Sequence, residues 1–592
     1  MKYNKIITAV ALTLAGVTCS CTDEWDEHYE AKTLGSGSLW QAISDDSQLT
    51  NFKSVLEATD YDAALGSSQI FTVFAPTNDH FTEADRDAVI QRYNEQLARG
   101  LKGSKNAAIK EFVQNHVALY NYSVSSATPD TTVVMMNGKR VAFGKSSFAN
   151  HDYVRSNVTT GNGILFTVNG QSAYDPNILE YFDKDPELDS VRNFIYKDSI
   201  EKFLPEQSVA GEIQDGKIHY LDSVTVTKNE ILTDWLNALL NSEDSSYVCL
   251  APTNEVWDKL LTQNKPYFVY DKEVAERDSF EFIFPRINIL GGTVFSVTEN
   301  PLLRTTTALD SIISTNAIPY DLREYYYGSF DKRYYIYDRP FEPGGIFHGT
   351  TDVACSNGTK KKSYEWKISP RHDLVKEIVM EAESSRTIDS LNVRSTTNPY
   401  GDTQPAEYTS VSSDNKFYRQ VSGHGYLTLM TTGSGNVTKA LFDIRNVLSN
   451  VPYDVYVVMA PAEAGDTLAP ASQRLPTKFE CSLQCHDLDG NAYYMDKNGI
   501  NKKYPVFPGN DKTKTPNQPA SAVKVRNLSN KDGVSVDSVF VGTYTFPTSS
   551  YSVSEAQVKM LISGMVTNSN VTQGTHTKTL RIDCIVFKPH DE

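Results

Sequence analysis

The spacing of hydrophobic and polar positions changes along the chain, and each spacing predicts an element. From Leu39 to Leu56 apolar residues recur at intervals of mostly three and four, which predicts helix. Ile70 to Phe74 is a short apolar run that predicts a strand, which Pro76 and Thr77 end. Thr is a frequent helix cap, so Thr77 is expected to begin a helix that continues towards Leu97.

A second helical pattern and a closing strand follow in the same segment. The helical pattern contains Phe112, Val113 and His116, and it runs into the stretch 117–120. The sequence Asn-Gly-Ile-Leu-Phe-Thr-Val at 162–168 predicts a strand. This part of the chain is thus expected to contain both helices and strands.

The most informative pattern is an internal repeat. Phe-Ala-Pro-Thr-Asn-Asp at 74–79 returns as Leu-Ala-Pro-Thr-Asn-Glu at 250–255, which indicates two copies of one module. The opening helix recurs at 177–182, and Ser-Asn-Gly at 356–358 matches the start of the closing strand. The second copy is longer, and its insertion is expected in the Tyr-rich stretch 320–341.

The order of these segments resembles the fasciclin domain. The resemblance covers the opening helix, the Thr-Val-Phe-Ala-Pro-Thr-Asn-Asp box, the segment around His116 and the Asn-Gly-Ile-Leu strand, about residues 38–170. It implies a non-catalytic adhesion or scaffold module in which His116 belongs to the core. We therefore expect one fasciclin domain at 38–172 and a divergent second one at 173–370.

The remainder, 371–592, has short alternating runs with turn signals at regular spacing, which predicts an all-β sandwich. Its Glu381-Ala382-Glu383 start and its Asp583-containing finish resemble a galactose-binding-type jelly roll, the fold of many carbohydrate-binding modules. The resemblance implies a structural calcium held by Glu381 or Glu383 together with Asp583. Surface carboxylates on edge strands are the alternative. The predicted fold is thus multidomain: two α+β fasciclin domains followed by a jelly-roll-like sandwich.

Candidate ligand-contacting residues are tyrosines, because all five Trp precede the predicted sandwich. Tyr rings can stack on sugars or fill a partner's pocket, or they can pack on their own domain. The candidates in the insertion are Tyr325, Tyr326, Tyr327, Tyr334 and Tyr335, and those in the sandwich are Tyr400, Tyr408, Tyr493 and Tyr494.

The N-terminus predicts export and lipidation. An apolar run at 6–17 follows Lys2 and Lys5 and is too short to span a bilayer, so residues 1–20 are read as a signal peptide. Cys21 follows the small Ser20 and is the predicted lipidation site, with Cys19 as the alternative. The acidic tether 21–37 resembles the start of surface lipoproteins of Bacteroidota-type Gram-negative bacteria. The resemblance implies a lipid anchor in the outer membrane and exposure at the cell surface.

Two further cysteines are read as small core residues and not as a metal or haem site. Cys481 and Cys485 lie on one face of a predicted strand. The spacing of a strand separates their thiols by about 13 Å, too far for a disulfide or a shared metal.

The net charge and the absence of catalytic motifs restrict the classes of function that are expected. The 592 residues carry a net charge of −17 with a pI near 5.2, which argues against nucleic acid as a partner. No phosphate loop, metalloprotease His-Glu pair or nucleophile elbow occurs in the sequence, so no enzyme and no cofactor beyond a possible structural calcium is expected.

The predicted function is that of an accessory component in outer-membrane glycan capture and import. Its expected partners are a TonB-dependent importer, the importer's lid-like lipoprotein and a polysaccharide, with membrane contact through the lipid anchor alone. The alternatives are an adhesin for host matrix or neighbouring cells and, as a minor class, a glycan-active enzyme.

Overall fold

The computed structural model describes residues 37–214, 217–304, 308–316, 335–384, 388–390, 406–431 and 437–591. The chain forms two compact units: Met1–Pro176 with Ser199–Lys228, and Asn177–Asp198 with Asn229–Glu592. Residues 199–228 fall inside the second predicted domain in sequence, yet they belong to the first unit. Cys21 lies outside the described residues.

The first unit combines helices with a mainly antiparallel sheet. Its helices are α1 (Leu39–Ser44), α2 (Thr50–Ala58), α3 (Tyr61–Gly66) and α4 (Glu83–Ala98). Its strands are β1 (Phe71–Pro76), β2 (Val117–Leu119), β3 (Thr131–Val134), β4 (Arg140–Phe143), β5 (Ser147–Phe148), β6 (His151–Thr160), β7 (Gly163–Val168), β8 (Ile200–Phe203), β9 (Val209–Gln214), β10 (Lys217–Asp222) and β11 (Thr225–Lys228).

Strands β1 to β7 form one seven-stranded sheet in the order β2-β1-β7-β6-β5-β4-β3. Only the pair β1–β7 is parallel in this sheet, and all six residues of each of these strands are buried. One face packs on the helices through residues such as Leu39, Phe52 and Leu165. The other face is covered by Phe74, Phe148 and neighbouring side chains. A strand buried on both faces explains the continuous apolar run from which β1 was predicted.

The helix after the Ala-Pro-Thr-Asn box begins later than the sequence pattern predicts. Its cap is Thr82 and not Thr77: Asp85 N–H donates to Thr82 Oγ1, and Thr82 N–H donates to the Asp85 carboxylate. Asn78 Nδ2 donates instead to Ser47 O at 3.0 Å, which holds the box outside the helix. Such reciprocal capping outcompetes an isolated Thr as a start signal.

The second predicted helix is a single π-helical turn, Ile109–Val113, and it ends before His116. His116 is fully buried, as expected for a core residue. Its Nδ1 donates to Phe112 O at 2.8 Å, and its Nε2 accepts from Ser172 N–H at 3.0 Å. The prediction that His116 is a satisfied core group is confirmed.

The second unit begins with a smaller α+β part. Its helices are α5 (Ile178–Tyr181), α6 (Asp189–Tyr196), α7 (Asn254–Asn264), α8 (Arg277–Leu290) and α9 (Pro370–Asp373), with a π-helical turn at Ile231–Trp235. Its strands are β12 (Tyr247–Pro252), β13 (Val294–Ser296), β14 (Ser311–Ile313), β15 (Ile336–Asp338), β16 (Thr351–Cys355) and β17 (Gly358–Ser363). The sheet order is β13-β12-β17-β16, with β12 and β17 parallel.

In the first unit, the Asn-Gly pair at the start of β7, Asn162 and Gly163, joins three segments. Asn162 Oδ1 accepts from Leu39 N–H at 2.7 Å, and Asn162 Nδ2 donates to Leu65 O at 2.9 Å. A Cβ on Gly163 would overlap Phe71 O, so the close approach of β7 to β1 requires glycine. We call this arrangement the Asn-Gly clasp.

The same clasp occurs in the second unit. Asn357 Oδ1 accepts from Ile178 N–H at 2.8 Å, and Asn357 Nδ2 donates to Leu240 O at 2.9 Å. A Cβ on Gly358 would overlap Tyr247 O. Strand order, strand direction and clasp therefore repeat between the two sheets, as the internal sequence repeat suggests.

The rest of the second unit consists of two β-sheets with a common core. The strands are β18 (Ile378–Glu381), β19 (Ile388–Ser390), β20 (Ala406–Ser410), β21 (Gly425–Leu429), β22 (Lys439–Ile444), β23 (Pro452–Met459), β24 (Lys478–His486), β25 (Ala492–Asp496), β26 (Gly499–Pro505), β27 (Val525–Ser529), β28 (Asp537–Thr545), β29 (Val558–Gly564) and β30 (Leu580–Pro589), and a short helix α10 spans Asn568–Thr572. One sheet has the order β20-β21-β30-β23-β28 with β18 also paired to β30. The other has the order β19-β22-β29-β24-β25-β26 with β27 also paired to β24.

Both sheets contribute side chains to one core, as in a sandwich. Cys481 and Cys485 are fully buried in it, which confirms their prediction as core residues. The same core contains Phe268, Tyr270 and Phe284 from the α+β part, so the second unit is a single packed body. Among the residues that the structure describes, no helix is both long and apolar enough to cross a membrane.

Candidate metal centre

The candidate site lies where two strands share one edge of β30. Strand β18 pairs with β30 up to Glu381 opposite Cys584, and β21 pairs with the same edge from Leu427 opposite Ile582. Asp583 falls between these two stretches. On the other edge of β30, the register with β23 shifts at the same point, so Asp583 is the extra residue of a β-bulge. Bulges re-aim side chains, and this one directs the carboxylate of Asp583 out of the regular alternation.

Ser422 forms hydrogen bonds with Asp583 on the last strand of the sandwich and with Glu381 on its first strand. Its backbone N–H donates to Asp583 Oδ1 and Oδ2 at 3.1 and 3.2 Å, and its Oγ donates to Glu381 Oε1 at 2.6 Å. One potential ligand atom from each of Glu381, Asp583 and Cys584 lies within 4.8 Å of the others. The two carboxylates predicted to share an ion are therefore brought together.

Glycines line the side of the site at Glu383. A Cβ on Gly423 would lie 3.2 Å from Glu383 Oε1, and a Cβ on Gly425 would lie 3.0 Å from the same atom. Glu383 Oε2 is buried and has no hydrogen-bond partner among the described residues. A buried carboxylate oxygen without a donor is costly unless a cation approaches it.

Burial and mutual repulsion disfavour the charged forms of these acids. Burial, together with the neighbouring Glu381 and Glu383, raises the pKa of Asp583 to about 8, although the Ser422 amide opposes the shift. Burial and the charge of Glu381 raise the pKa of Glu383 to about 7. Clustered carboxylates with raised pKa values are the arrangement that a bound divalent cation stabilises, because the ion supplies the missing positive charge.

The donor set fits a hard cation such as calcium. Glu381, Glu383, Asp583 and the Ser422 hydroxyl all offer oxygen, the ligand type that calcium takes. Burial raises the pKa of the Cys584 thiol well above its ordinary value, so this sulfur stays protonated and is a poor ligand. A calcium ion here would join strand β18, the Ser422 loop and strand β30, a structural role.

Four of the predicted tyrosines lie among the described residues, and three of these four are buried. Tyr335, Tyr493 and Tyr494 are buried, and their rings pack in the protein interior, so they are removed from the candidate surface. Tyr408 on edge strand β20 is 57% exposed. The other candidate tyrosines lie outside the described residues: Tyr325, Tyr326, Tyr327, Tyr334 and Tyr400.

Sequence reasoning missed Ser422 and the two glycines beside it. The available signal was the Gly423-His424-Gly425 turn, which leads directly into a predicted strand. Small residues before a strand mark a close approach of other groups. Nothing in the sequence alone indicates that the approaching group is Glu383.

Comparisons with known proteins identify one part of the chain. Residues 47–170 match the family model of the fasciclin domain. No curated protein shows significant sequence similarity to the chain.

Three solved structures show weak overall similarity. A fasciclin-domain pair from the insect cell adhesion molecule fasciclin I is 10% identical, with a TM-score of 0.18, 55% of this chain covered and 97% of that one. The isomalto-dextranase of Arthrobacter globiformis T6 in complex with panose is 12% identical, with a TM-score of 0.16, 31% of this chain covered and 20% of that one. The enzymatically active domain of tailspike protein 4 from bacteriophage CBA120 is 7% identical, with a TM-score of 0.14, 37% of this chain covered and 20% of that one.

TM-scores this low carry no argument about fold or function. The family match agrees with the predicted first module and with the sheet and clasp described for the first unit. Residues 47–170 of this chain are therefore a fasciclin domain, a domain type that is generally non-catalytic and generally involved in cell adhesion.

Proposed function

We propose that this chain is a non-catalytic cell-surface lipoprotein that binds a polymer or a protein partner. The observation that carries the proposal is the fasciclin domain at residues 47–170. The repeated sheet order and Asn-Gly clasp support a second fasciclin domain within 173–370, without the segment 199–228 that belongs to the first unit. The two packed sheets after this domain support a jelly-roll-like domain at 371–592. The carboxylate cluster on the first and last strands of these sheets supports its stabilisation by calcium.

The proposed anchor is a lipid on Cys21 after removal of residues 1–20. Radiolabelled fatty acid should be incorporated into the wild-type chain and into Cys19→Ala, and it should be absent from Cys21→Ala. The reverse pattern would move the anchor to Cys19. A wild-type chain that takes up no label would contradict the proposed lipid anchor.

The more specific role is that of an accessory component in outer-membrane glycan capture and import. In this role the chain associates with a TonB-dependent importer and its lid-like lipoprotein, and it holds polysaccharide near them. Tyr408 supports a glycan contact, because its exposed ring lies on an edge strand of the sandwich and aromatic faces stack on sugars.

The decisive experiment has two parts. The chain is first purified from its native membrane in mild detergent, and the proteins that accompany it are identified. Its mobility is then measured in gels that contain different polysaccharides. Co-purification with an importer and retardation by a polysaccharide are expected. A protein that purifies alone and is not retarded by any polysaccharide would contradict the glycan-capture role.

A matched pair of variants sharpens the gel measurement. Tyr408→Ala should lose the retardation. Tyr364→Ala should keep it, because Tyr364 is similarly exposed at 52% but lies in the α+β part. Binding to matrix proteins or to neighbouring cells without importer or polysaccharide would instead establish the adhesin alternative. Release of reducing sugar from a polysaccharide panel would establish a glycan-active enzyme.

A further inference from the structure

The closing strands of the two repeated sheets differ sharply in composition. Strand β7 contains Leu165-Phe166-Thr167, and β17 contains Lys360-Lys361-Lys362 at the same positions after the clasp glycine. Two of the lysines form ion pairs: Lys361 with Asp352 at 2.8 Å, and Lys362 with Asp185 at 2.7 Å. The third lysine, Lys360, is in a different environment.

Lys360 occupies the interior position that Leu165 occupies in the first sheet. In the parallel pair, Lys360 lies opposite Cys249, as Leu165 lies opposite Val73. Lys360 is 0% exposed, and its Nζ has no hydrogen-bond partner among the described residues. A charged ammonium in such a place loses its hydration without replacement.

Aromatic rings cover the amine from one side. Nζ lies 3.1 Å from the ring centroid of Phe182 and 5.0 Å from that of Tyr181, at the end of helix α5. Ring faces attract cations, but by far less than the hydration that a fully buried ammonium gives up. The rings therefore exclude water from the amine more effectively than they stabilise its charge.

The titratable groups that face the amine come from three elements. They are Cys249 on β12, Cys355 on β16, and Asp183 and Asp185 after α5. Both aspartates have closer partners, Arg192 for Asp183 at 2.6 Å and Lys362 for Asp185 at 2.7 Å. Burial is the dominant effect and lowers the pKa of Lys360 from 10.5 to about 7, although these four groups favour the charged form.

We propose that Lys360 makes the second repeated sheet a pH-sensitive element, in which uptake of one proton by the buried amine weakens the attachment of strand β17 and of the helix α5 that covers it. In the opened state the amine is hydrated and holds its proton up to pH 10.5, whereas in the closed state it holds one only below about pH 7. Opening in this interval takes up a proton, so the opening constant falls about tenfold for each unit by which the pH rises. Below the interval both states are protonated, and the dependence ends.

The first sheet provides an internal reference. Leu165 cannot titrate, and the corresponding strand β7 pairs with β1 in the same register. Opening of β7 is therefore expected to be independent of pH in the interval where opening of β17 changes.

The test is hydrogen–deuterium exchange of the full mature chain, read by mass spectrometry from about pH 6 to about pH 9 and corrected for intrinsic exchange rates. In the wild type, the opening constant of β17 should be level below about pH 7 and fall by up to about tenfold per unit above it. Peptides from β7 should show no such fall above about pH 7. The variant Lys360→Met keeps an unbranched apolar stem, and it should abolish the slope and give the low opening constant at every pH.

Lys361→Met is the matched control. It removes a positive charge from the neighbouring position of the same strand, where the lysine is paired with Asp352. This variant should keep the wild-type slope. A wild-type β17 whose opening does not depend on pH would overturn the proposal, as would a Lys360→Met variant that retains the slope. If Lys360→Met fails to fold, then Lys360→Leu, which restores the residue of the first sheet, takes its place in the same comparison.

Discussion

The two repeated sheets have the same backbone plan but different ionisable residues in their interiors. In the first, Phe74 N–H donates to His116 O at 2.9 Å, and in the second Leu250 N–H donates to Thr293 O at 2.8 Å. The first sheet thus has an interior His where the second has Thr. At the closing strand it is the second sheet that has the ionisable residue, because the apolar Leu165 of the first sheet is matched by the buried Lys360.

This difference shows which features carry the shared architecture. Backbone hydrogen bonds, the Asn-Gly clasp and the close approach at the clasp glycine are present in both sheets. The chemistry of the interior side chains varies around them. Because the clasp acts mainly on main-chain atoms, it can persist while side-chain composition differs, and each sheet is expected to have its own response to pH.

The largest expected effect comes from the clasp glycines. Gly163→Ala and Gly358→Ala would each force a Cβ into a backbone carbonyl of the paired strand, Phe71 O or Tyr247 O. Backbone atoms cannot swing away as a flexible side chain would, so each variant should lose at least about 3 kcal/mol of the unfolding free energy of its own unit. Urea unfolding followed by unit-resolved proteolysis measures the loss.

Gly100→Ala is the control for these glycines. Gly100 has a φ of +82°, but no heavy atom lies within 4 Å of the place that a Cβ would take, so only conformational strain of about 1 kcal/mol is expected. Equal losses for Gly163→Ala and Gly358→Ala would strengthen the structural equivalence of the two sheets. A tolerated Gly358→Ala would show that the second sheet does not depend on the same approach.

A second prediction is that acid destabilises the first unit through its interior histidine. Burial lowers the pKa of His116 from 6.5 to about 4, and protonated Nε2 would face the Ser172 N–H that now donates to it. The unfolded His binds a proton below pH 6.5, whereas the folded one binds it only below about pH 4. The contribution of His116 to the unfolding free energy of the first unit is therefore fully present above pH 6.5. It is lost as the pH falls from 6.5 to about 4, by about 3 kcal/mol in total and about 1.4 kcal/mol per pH unit.

His116→Gln tests this origin, because a Gln side chain can donate to one partner and accept from the other without titrating. The acid slope of the first unit should disappear in this variant. His80→Gln replaces an exposed His of the same unit and should keep the slope. An unchanged slope in His116→Gln would assign acid sensitivity to other groups. The second unit, with Thr293 in the matching place, should lack this step.

Calcium is expected to change the stability of the second unit and not that of the first. Added calcium is expected to stabilise the second unit by about 2.7 kcal/mol at about one hundred times its dissociation constant, and to leave the first unit unchanged. Asp583→Asn removes a central carboxylate and should abolish the shift, and a chelator should reverse it in the wild type. Thermal unfolding with and without chelator provides the measurement.

The control for calcium is Asp489→Asn. Asp489 lies in the hairpin turn after β24, where it pairs with Lys272 at 3.3 Å. Its substitution should leave the calcium shift intact. A shift that Asp489→Asn abolishes and Asp583→Asn preserves would place the ion in the turn. A first unit stabilised to the same extent would show non-specific binding to an acidic chain.

How far the sequence predicts this fold depends on whether a feature is local. The box strand, the closing Asn-Gly and the core position of His116 follow from local patterns and hold in the structure. The helix start at Glu83 does not, because tertiary bonds of Asn78 hold the box out of the helix. The membership of residues 199–228 in the first unit also has no local signal.

The candidate site divides in the same way. The closeness of Glu381 or Glu383 to Asp583 is implied by the resemblance of the sandwich ends to a galactose-binding-type jelly roll, and the structure brings Glu381 and Asp583 together. The bulge that aims Asp583 and the donor role of Ser422 could not be predicted, because a register shift leaves no mark in the alternation. Tyr493 and Tyr494 show the converse failure: alternation along a strand would place one of two neighbours in solvent, but both are buried.

The smallest expected effect concerns Lys362, the counterpart of Thr167. Its Nζ contacts Asp185 at 2.7 Å and Glu187 at 2.6 Å, and these hydrogen bonds raise the pKa of the lysine despite partial burial. Glu187 is largely exposed, so Lys362→Met should cost only about 1 kcal/mol in the second unit.

Urea unfolding at two salt concentrations measures this cost, which should shrink at high salt as screening weakens the pairs. Lys361→Met, which breaks a single pair with Asp352, should cost no more. A loss above about 3 kcal/mol for Lys362→Met would mean that Asp185 behaves as a buried charge left without its partner. In that case the second sheet would require Lys362 for its stability, because this lysine neutralises Asp185. The contrast with the apolar β7 would then reflect an ion pair that the second sheet needs. With the small loss, the paired lysines are tolerated substitutions, and Lys360 is the lysine of β17 that is expected to change the response of the second sheet to pH.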